Sequence, residues 1–208
     1  MGIFGGAFNP PHVGHLVCAQ EAWSQLGLDV VWLVPVGEAS HRTLAADPGA
    51  SVRVALCEEA VDGDPRLEVS RVEVDRDGPS YTSDTLRELS SRGDELILIL
   101  GADQAASLGG WHKPAEVLAL ARLAVAAREG VDHDAVLRRL EGLEAADGSG
   151  SAADRLDFFD MPRIDVSSSL ARERAASGRP IRYLVPERVA RAIDQQGLYG
   201  ATDRAAAR

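Results

Sequence analysis

The sequence predicts an α/β fold: a doubly wound, mostly parallel sheet with a small C-terminal helical region. Short apolar runs alternate with amphipathic stretches through most of the chain, a glycine-rich turn joins the first such pair, and two further helical stretches close the order. In folds of this kind ligands bind outside the carboxyl ends of the strands, and the glycine-rich turn lies at such an end.

Residues 1–4 form a short apolar opening strand, and that shortness points to a natural start upstream. Residues 14–27 read as a helix with Leu16, Val17, Gln20, Trp23 and Leu26 along one side. Further strands are expected at 30–34, 67–74, 96–100, 123–127 and 156–159, and helices at 51–61, 81–91, 114–120 and 132–143. The apolar phase of 67–74 shifts from Leu67 and Val69 to Val72 and Val74, as a bulge would produce. Residues 147–153, rich in Gly, Ser and Ala, read as a flexible connector. The closing helices are expected at 168–177 and 186–196, the latter with Pro186 in its first turn and Gly197 past its end. One domain over 1–200 and a flexible tail at 201–208 complete the expectation.

The run from Gly5 to His15 carries the most chemistry. Gly5 and Gly6 let backbone approach a ligand closely, Pro10 and Pro11 stiffen the exit, and exposed N–H groups in the turn with the following helix start attract phosphate. His12 and His15, three residues apart, emerge on one side of a helix that begins near His12 and reach one group of phosphate oxygens. A nucleotide is the ligand this suggests. His12, His15 and Cys18 also share a face, as in a partial zinc site, but no fourth ligand stands out and no protein metal site is expected.

A second phosphate site is expected where Ser167, Ser168 and Ser169 open a helix and Arg172 follows one turn in. A serine there that only caps the helix is the plainer reading. Gly101 and Asp103 close the strand at 96–100; Asp103 either accepts from a ribose hydroxyl or caps a short helix running to Leu108. Trp111, after two glycines, offers a flat face to an aromatic ring or covers the core.

Composition narrows the classes. The chain of 208 residues is 45% apolar and 26% charged, as in globular proteins, and no apolar run approaches the roughly 18 residues of a membrane span. No secretory signal opens it, and Cys18 and Cys57 fall inside predicted helices without forming a disulfide framework, so a cytoplasmic location without a membrane partner is expected. A net charge of -10 argues against a nucleic-acid partner, which needs a basic stripe, but leaves room for a small polyanion met locally by arginines, helix starts and a magnesium ion. Nothing in the pattern opposes a homo-oligomer. Lys113 is the one lysine, so fixed positive charge here is almost all guanidinium, suited to bidentate phosphate contacts.

Taken together, these blocks resemble the bacterial nicotinate-nucleotide adenylyltransferases, of the nucleotidyltransferase superfamily with the H-x-G-H motif. The resemblance rests on Gly5 to His15, on Val34-Pro35 followed by His41-Arg42, on Pro79 to Leu86, on Gly101 to Asp103 with Trp111, on Ser167 to Arg172, and on Tyr183-Leu184, Pro186 and Gly197 to Tyr199. The first motif is shared by the whole superfamily, whereas the Pro79 to Leu86 and Trp111 blocks point to this member.

The resemblance implies a Rossmann-like sheet and a reaction of ATP with nicotinate mononucleotide that gives nicotinate adenine dinucleotide and pyrophosphate, with Mg2+ on the triphosphate. It implies that His12, His15 and Arg172 are catalytic, that Gly6, Ala7 and Phe8 beside Gly5 offer backbone donors, and that Ser167 and Ser168 meet phosphate. It further implies that His41, Arg42 and Arg128 contact substrate, that Thr82 and nearby amides receive the pyridine carboxylate, and that Trp111 stacks on the ring. The chain departs from the pattern at Ala7, Ser40, Arg42, Glu129 and Ala171. An adenylyltransferase for nicotinamide mononucleotide or phosphopantetheine, and a non-catalytic nucleotide-binding relative, stay open as alternatives.

Overall fold

The computed structural model describes residues 1–40, 43–91, 93, 95–127 and 132–201. Its main sheet holds β1 (Gly2–Gly6), β2 (Val31–Pro35), β4 (Leu67–Val69), β6 (Leu96–Gly101), β7 (Ala121–Ala127) and β8 (Leu156–Asp160), in the spatial order β4-β2-β1-β6-β7-β8. Every pairing in it is parallel. Strand order therefore reverses at the seam between β1 and β6, the switch point where doubly wound sheets bind ligands.

The seam is also where the sheet parts. β1 and β6 pair only through Gly2 with Ile97 and Ile3 with Leu98, whereas β6 and β7 stay paired as far as Gly101 with Ala126. The carboxyl ends of β1 and β6 are thus free of each other, and a cleft opens between them.

Alternation along these strands buries both faces. Ile3, Leu98, Leu100, Leu123 and Val125 face α3 (Thr82–Ser90), α4 (Ala102–Ala106), α5 (Pro114–Leu120) and α6 (His133–Leu140). Phe4, Ile99, Ala124 and Ala126 face α1 (Val13–Leu26) and α2 (Ala50–Val61). A third cluster joins Leu56 of α2 to α7 (Ser168–Ala176) and α8 (Glu187–Gln195), which is the C-terminal helical region. Among the described residues, no helix is long and apolar enough to cross a membrane.

Several boundaries differ from expectation for local reasons. The strand expected at 67–74 ends at Val69; beyond it the Val74 and Asp75 amides donate to the Arg71 carbonyl, and Arg71 pairs with Asp75 at 2.9 Å. This turn carries Glu73 inward, and the shift in apolar phase marks the turn, not a bulge. A two-residue strand β3 (Glu38–Ala39) pairs with β5 (Pro79–Ser80), too short to show in periodicity. The helix expected at 132–143 stops at Leu140, with Asp132 accepting from the Ala135 amide as its cap and Gly142 at φ 78° beyond its end.

Pro186 caps α8 from outside its first turn. The connector at 147–153 is tied down, since Ala145 donates to Gly150, Ala152 donates to Leu143, and both alanines are buried. On α1 the fully buried face is Gly14, Cys18, Ala19 and Ala22, while Gln20 is exposed. Small residues let that helix lie close to the sheet, and the larger Leu16, Val17, Trp23 and Leu26 pack at its flanks.

Candidate active site

Two hollows occupy the cleft and share Gly5, Gly6, Ala7, Leu44 and Gln104. The first, of about 610 Å³, is walled by the turn after β1, the start of α1 and the start of α7. The second, of about 420 Å³, runs from the same turn to Thr82 at the start of α3 and to Trp111. Both fall in the size range of small-molecule sites.

In the first hollow the turn is shaped by Phe8, which holds a left-handed backbone at φ 46°. Its ring is buried edge-on to Phe4 at 5.7 Å and to His15 at 5.0 Å, and these contacts offset the strain of that conformation. Phe8 therefore serves the hollow through its backbone while its side chain joins the core. His12 is the N-cap of α1, and its ring stacks on that of His15 at 3.6 Å. The His12 amide donates to His15 Nδ1 at 3.1 Å, so the neutral His15 ring carries its proton on Nε2. An added Cβ on Gly14 would lie 3.1 Å from the His12 ring, which explains the glycine between the two histidines.

The start of α7 docks on this turn. Ser168 Oγ donates to the Pro10 carbonyl at 2.8 Å, and Arg172 Nη1 donates to the Asn9 carbonyl at 2.7 Å while Nη2 reaches Ser169 Oγ at 3.2 Å. Ser167 caps the helix by accepting from the Leu170 amide. Two helix starts, of α1 and α7, thereby open on one hollow with His12, His15 and Arg172 around it and no carboxylate in its lining among the described residues.

Behind the turn lies a residue that sequence reasoning missed. Arg53 of α2 is fully buried, and its guanidinium donates to the Ala7 carbonyl at 3.0 Å, the Gly37 carbonyl at 3.2 Å and the Asp47 carboxylate at 2.9 Å. Nothing in the local pattern distinguishes it from a solvated helix arginine. Gly37 is confined in turn, because a Cβ there would collide with the Glu73 carbonyl. Asn9 and Gln104 also line the first hollow without having been singled out, and Asn9 Nδ2 holds the Ala45 carbonyl at 3.0 Å.

The second hollow has an apolar floor of Ile3, Val34, Leu98 and Leu100. The Trp111 indole is oriented by its Nε1–H donating to Ser107 Oγ at 3.2 Å, and His112 lies against Tyr81 at 4.3 Å. Glu73 lines this hollow too, buried, with Thr85 Oγ1 donating to it at 2.7 Å and Arg76 donating to Thr85 at 3.0 Å. Burial holds the Glu73 carboxyl above the ordinary range, outweighing the hydrogen bonds from Thr85 and Ser80, the charge of Arg76 and the Gly37 amide.

Of the residues singled out from sequence, Gly5, Gly6 and Ala7 line both hollows. Phe8, His12, His15, Gly101, Ser167, Ser168 and Arg172 line the first, and Thr82 and Trp111 the second. Asp103 is exposed inside the first turn of α4, whose cap is Gly101, so it is not that helix's cap; its neighbours Gly101 and Gln104 line the first hollow. His41, Arg42 and Arg128 lie outside the described residues. Among those described, no three His, Cys, Asp or Glu side chains gather as a metal site, and burial pushes the Cys57 thiol well up, leaving it inert as a nucleophile.

Comparison with known proteins agrees with this geometry. The cytidylyltransferase-like family model matches residues 3–174. A probable nicotinate-nucleotide adenylyltransferase of Roseiflexus sp. is 40% identical over 202 residues, covering 96% of this chain and 97% of its own length. One of Geobacillus thermodenitrificans is 36% identical over 203 residues, covering 97% and 86%. In three dimensions the chain is similar to the nicotinic acid mononucleotide adenylyltransferase of Plasmodium falciparum complexed with NaAD, with a TM-score of 0.75 over 97% of each chain. At 14% identity, that likeness concerns the fold.

Proposed function

Because the chain belongs to the cytidylyltransferase-like family, among the nicotinate-nucleotide adenylyltransferases, we propose how its cleft performs their reaction. The protein transfers the adenylyl group of ATP to nicotinate mononucleotide, giving nicotinate adenine dinucleotide and pyrophosphate in NAD biosynthesis. The observation that supports the assignment of the site is the junction of the two hollows at Gly5 to Ala7, which leaves room for a triphosphate and a pyridine nucleotide end to end.

ATP takes the first hollow and the mononucleotide the second. A phosphate oxygen of the mononucleotide attacks the α-phosphorus of ATP in line, the bond from that phosphorus to the bridging oxygen of the β-phosphate breaks, and pyrophosphate leaves with the electron pair. No side chain is covalently modified. The enzyme supplies position and charge stabilisation. His15 donates from Nε2 and His12 beside it meets the same phosphates. The amides of Gly6 to Phe8 and the start of α7 add donors, and Arg172 turns its remaining N–H groups to the leaving phosphates. The Ser168 hydroxyl is already spent on the Pro10 carbonyl, so Ser168 offers its backbone amide, whereas the Ser167 hydroxyl proton is uncommitted.

A described lining without carboxylates fits Mg2+ carried in on the triphosphate and water, with no protein cage, where it would supply charge neutralisation to the phosphates that His12, His15 and Arg172 meet. His41, Arg42 and Arg128 belong to this reading as substrate contacts by resemblance alone. In the second hollow Thr82 and neighbouring amides take the pyridine carboxylate and Trp111 stacks on the ring. A donor-lined site meets both oxygens of an acid but only one of an amide.

Pyrophosphate release with ATP and either nicotinate mononucleotide, nicotinamide mononucleotide or phosphopantetheine tests this reading. Release with the acid should far exceed the others. Equal rates with acid and amide would remove the carboxylate pocket.

A further inference from the structure

The pyridine carboxylate must be met in a hollow whose described lining includes the buried acid Glu73 and neither arginine nor lysine. The charged groups around it face elsewhere. Arg76 lies behind Thr85, and Lys113 turns to Glu116 at 3.9 Å. The acceptor oxygens of Glu73 are engaged by Thr85, Ser80 and the Gly37 amide, which ties them to the wall. One lining side chain among those described can carry positive charge: His112, exposed at the rim.

The position of His112 is built, not incidental. Its ring lies on Tyr81 with centroids 4.3 Å apart and planes 31° apart, so it adjoins Thr82, the start of α3. Trp111 is turned by its bond to Ser107, and Lys113 at φ 50° bends the chain away into α5. Among the described residues, neither ring nitrogen of His112 has a hydrogen-bond or ion-pair partner, so both face a ligand there.

We infer that His112 is a specificity-determining residue whose imidazole donates a hydrogen bond to the substrate's pyridine carboxylate and so favours the acid over the amide. The inference rests on the reading above that this hollow takes nicotinate mononucleotide. A ring N–H that donates to a carboxylate makes a hydrogen bond strengthened by the acceptor's charge; an amide brings no charge and gains less. The stack on Tyr81 holds the ring at the rim beforehand, so little rotamer freedom is lost on binding.

His112→Phe keeps a ring on Tyr81, leaves the backbone amide in place and removes both nitrogens. Steady-state rates for nicotinate and nicotinamide mononucleotide, with Kd values for each by calorimetry, are compared with the unsubstituted enzyme. kcat/KM and Kd for the acid should worsen about 10- to 100-fold, those for the amide by less than about 2-fold, and the KM for ATP should hold. An equal loss with both substrates would overturn the inference by moving the ring to a shared group such as the phosphate, and no loss with either would overturn it too. His112→Ala, which drops the ring altogether, must show the same acid-specific loss in Kd if the phenylalanine variant fails to fold. Absence of any acid preference in the unsubstituted enzyme would instead sink the reading of the hollow itself, before a variant is made.

Discussion

Gly14 shows how closely single atoms are set in the first hollow. The His12 ring lies over its Cα, and a methyl group there would force the imidazole to give by a few tenths of an ångström. Helix propensity alone favours alanine over glycine by about 1 kcal/mol, so the exchange does not threaten α1. Gly14→Ala should therefore leave the melting temperature equal or higher while lowering kcat on the order of tenfold, because with His12 on phosphate as proposed a small misplacement of its ring is costly. Thermal melting alongside pyrophosphate release checks this, and an active, stable variant would show that the His12 ring tolerates displacement. At this scale the spacing was legible: two imidazoles three residues apart at a helix start come together on one hollow. What the spacing did not convey was the His15 tautomer, which depends on the His12 amide 3.1 Å from Nδ1.

Among the elements, α2 has a part in the site that its sequence conceals. Arg53 reaches from α2 through the core to the carbonyls of Ala7 and Gly37, fastening the phosphate turn to the segment after β2. Replacing it with methionine keeps most of the packing but leaves two carbonyls without donors. Each unsatisfied buried group costs about 1–3 kcal/mol, so with two of them Arg53→Met should lose roughly 2–6 kcal/mol by urea unfolding and raise the KM for ATP. The Asp47 partner adds little to that figure, since its side chain is 32% exposed and its ion pair is screened. A loss below about 1 kcal/mol would mean that water or neighbouring groups replace the guanidinium. The start of α7 likewise spends Ser168 and Arg172 first on holding the Asn9 and Pro10 carbonyls, an anchoring duty that the serine run did not reveal.

Across the whole molecule, the two hollows join over the seam between β1 and β6, and with ATP and the mononucleotide placed as proposed the product lies along both. Nicotinate adenine dinucleotide should thus compete with ATP and with nicotinate mononucleotide alike, and initial-rate inhibition patterns check this; noncompetitive inhibition against either substrate would separate the hollows. The net charge of -10 belongs to the outer surface, and the first hollow sets imidazoles, a guanidinium and helix starts against it locally. The sequence by itself determined the alternation of strands and helices, the phosphate turn with its histidines, and the serine-arginine helix start, because periodicity and motif spacing are local properties of a chain. Only the tertiary structure decided that β1 and β6 part after Ile3 and Leu98, that Arg53 and Glu73 point inward, that Gln104 lines the cleft, and that His112 comes to rest on Tyr81. Those outcomes depend on which distant segments meet, and a contact between residues far apart in the chain leaves no period or spacing to read.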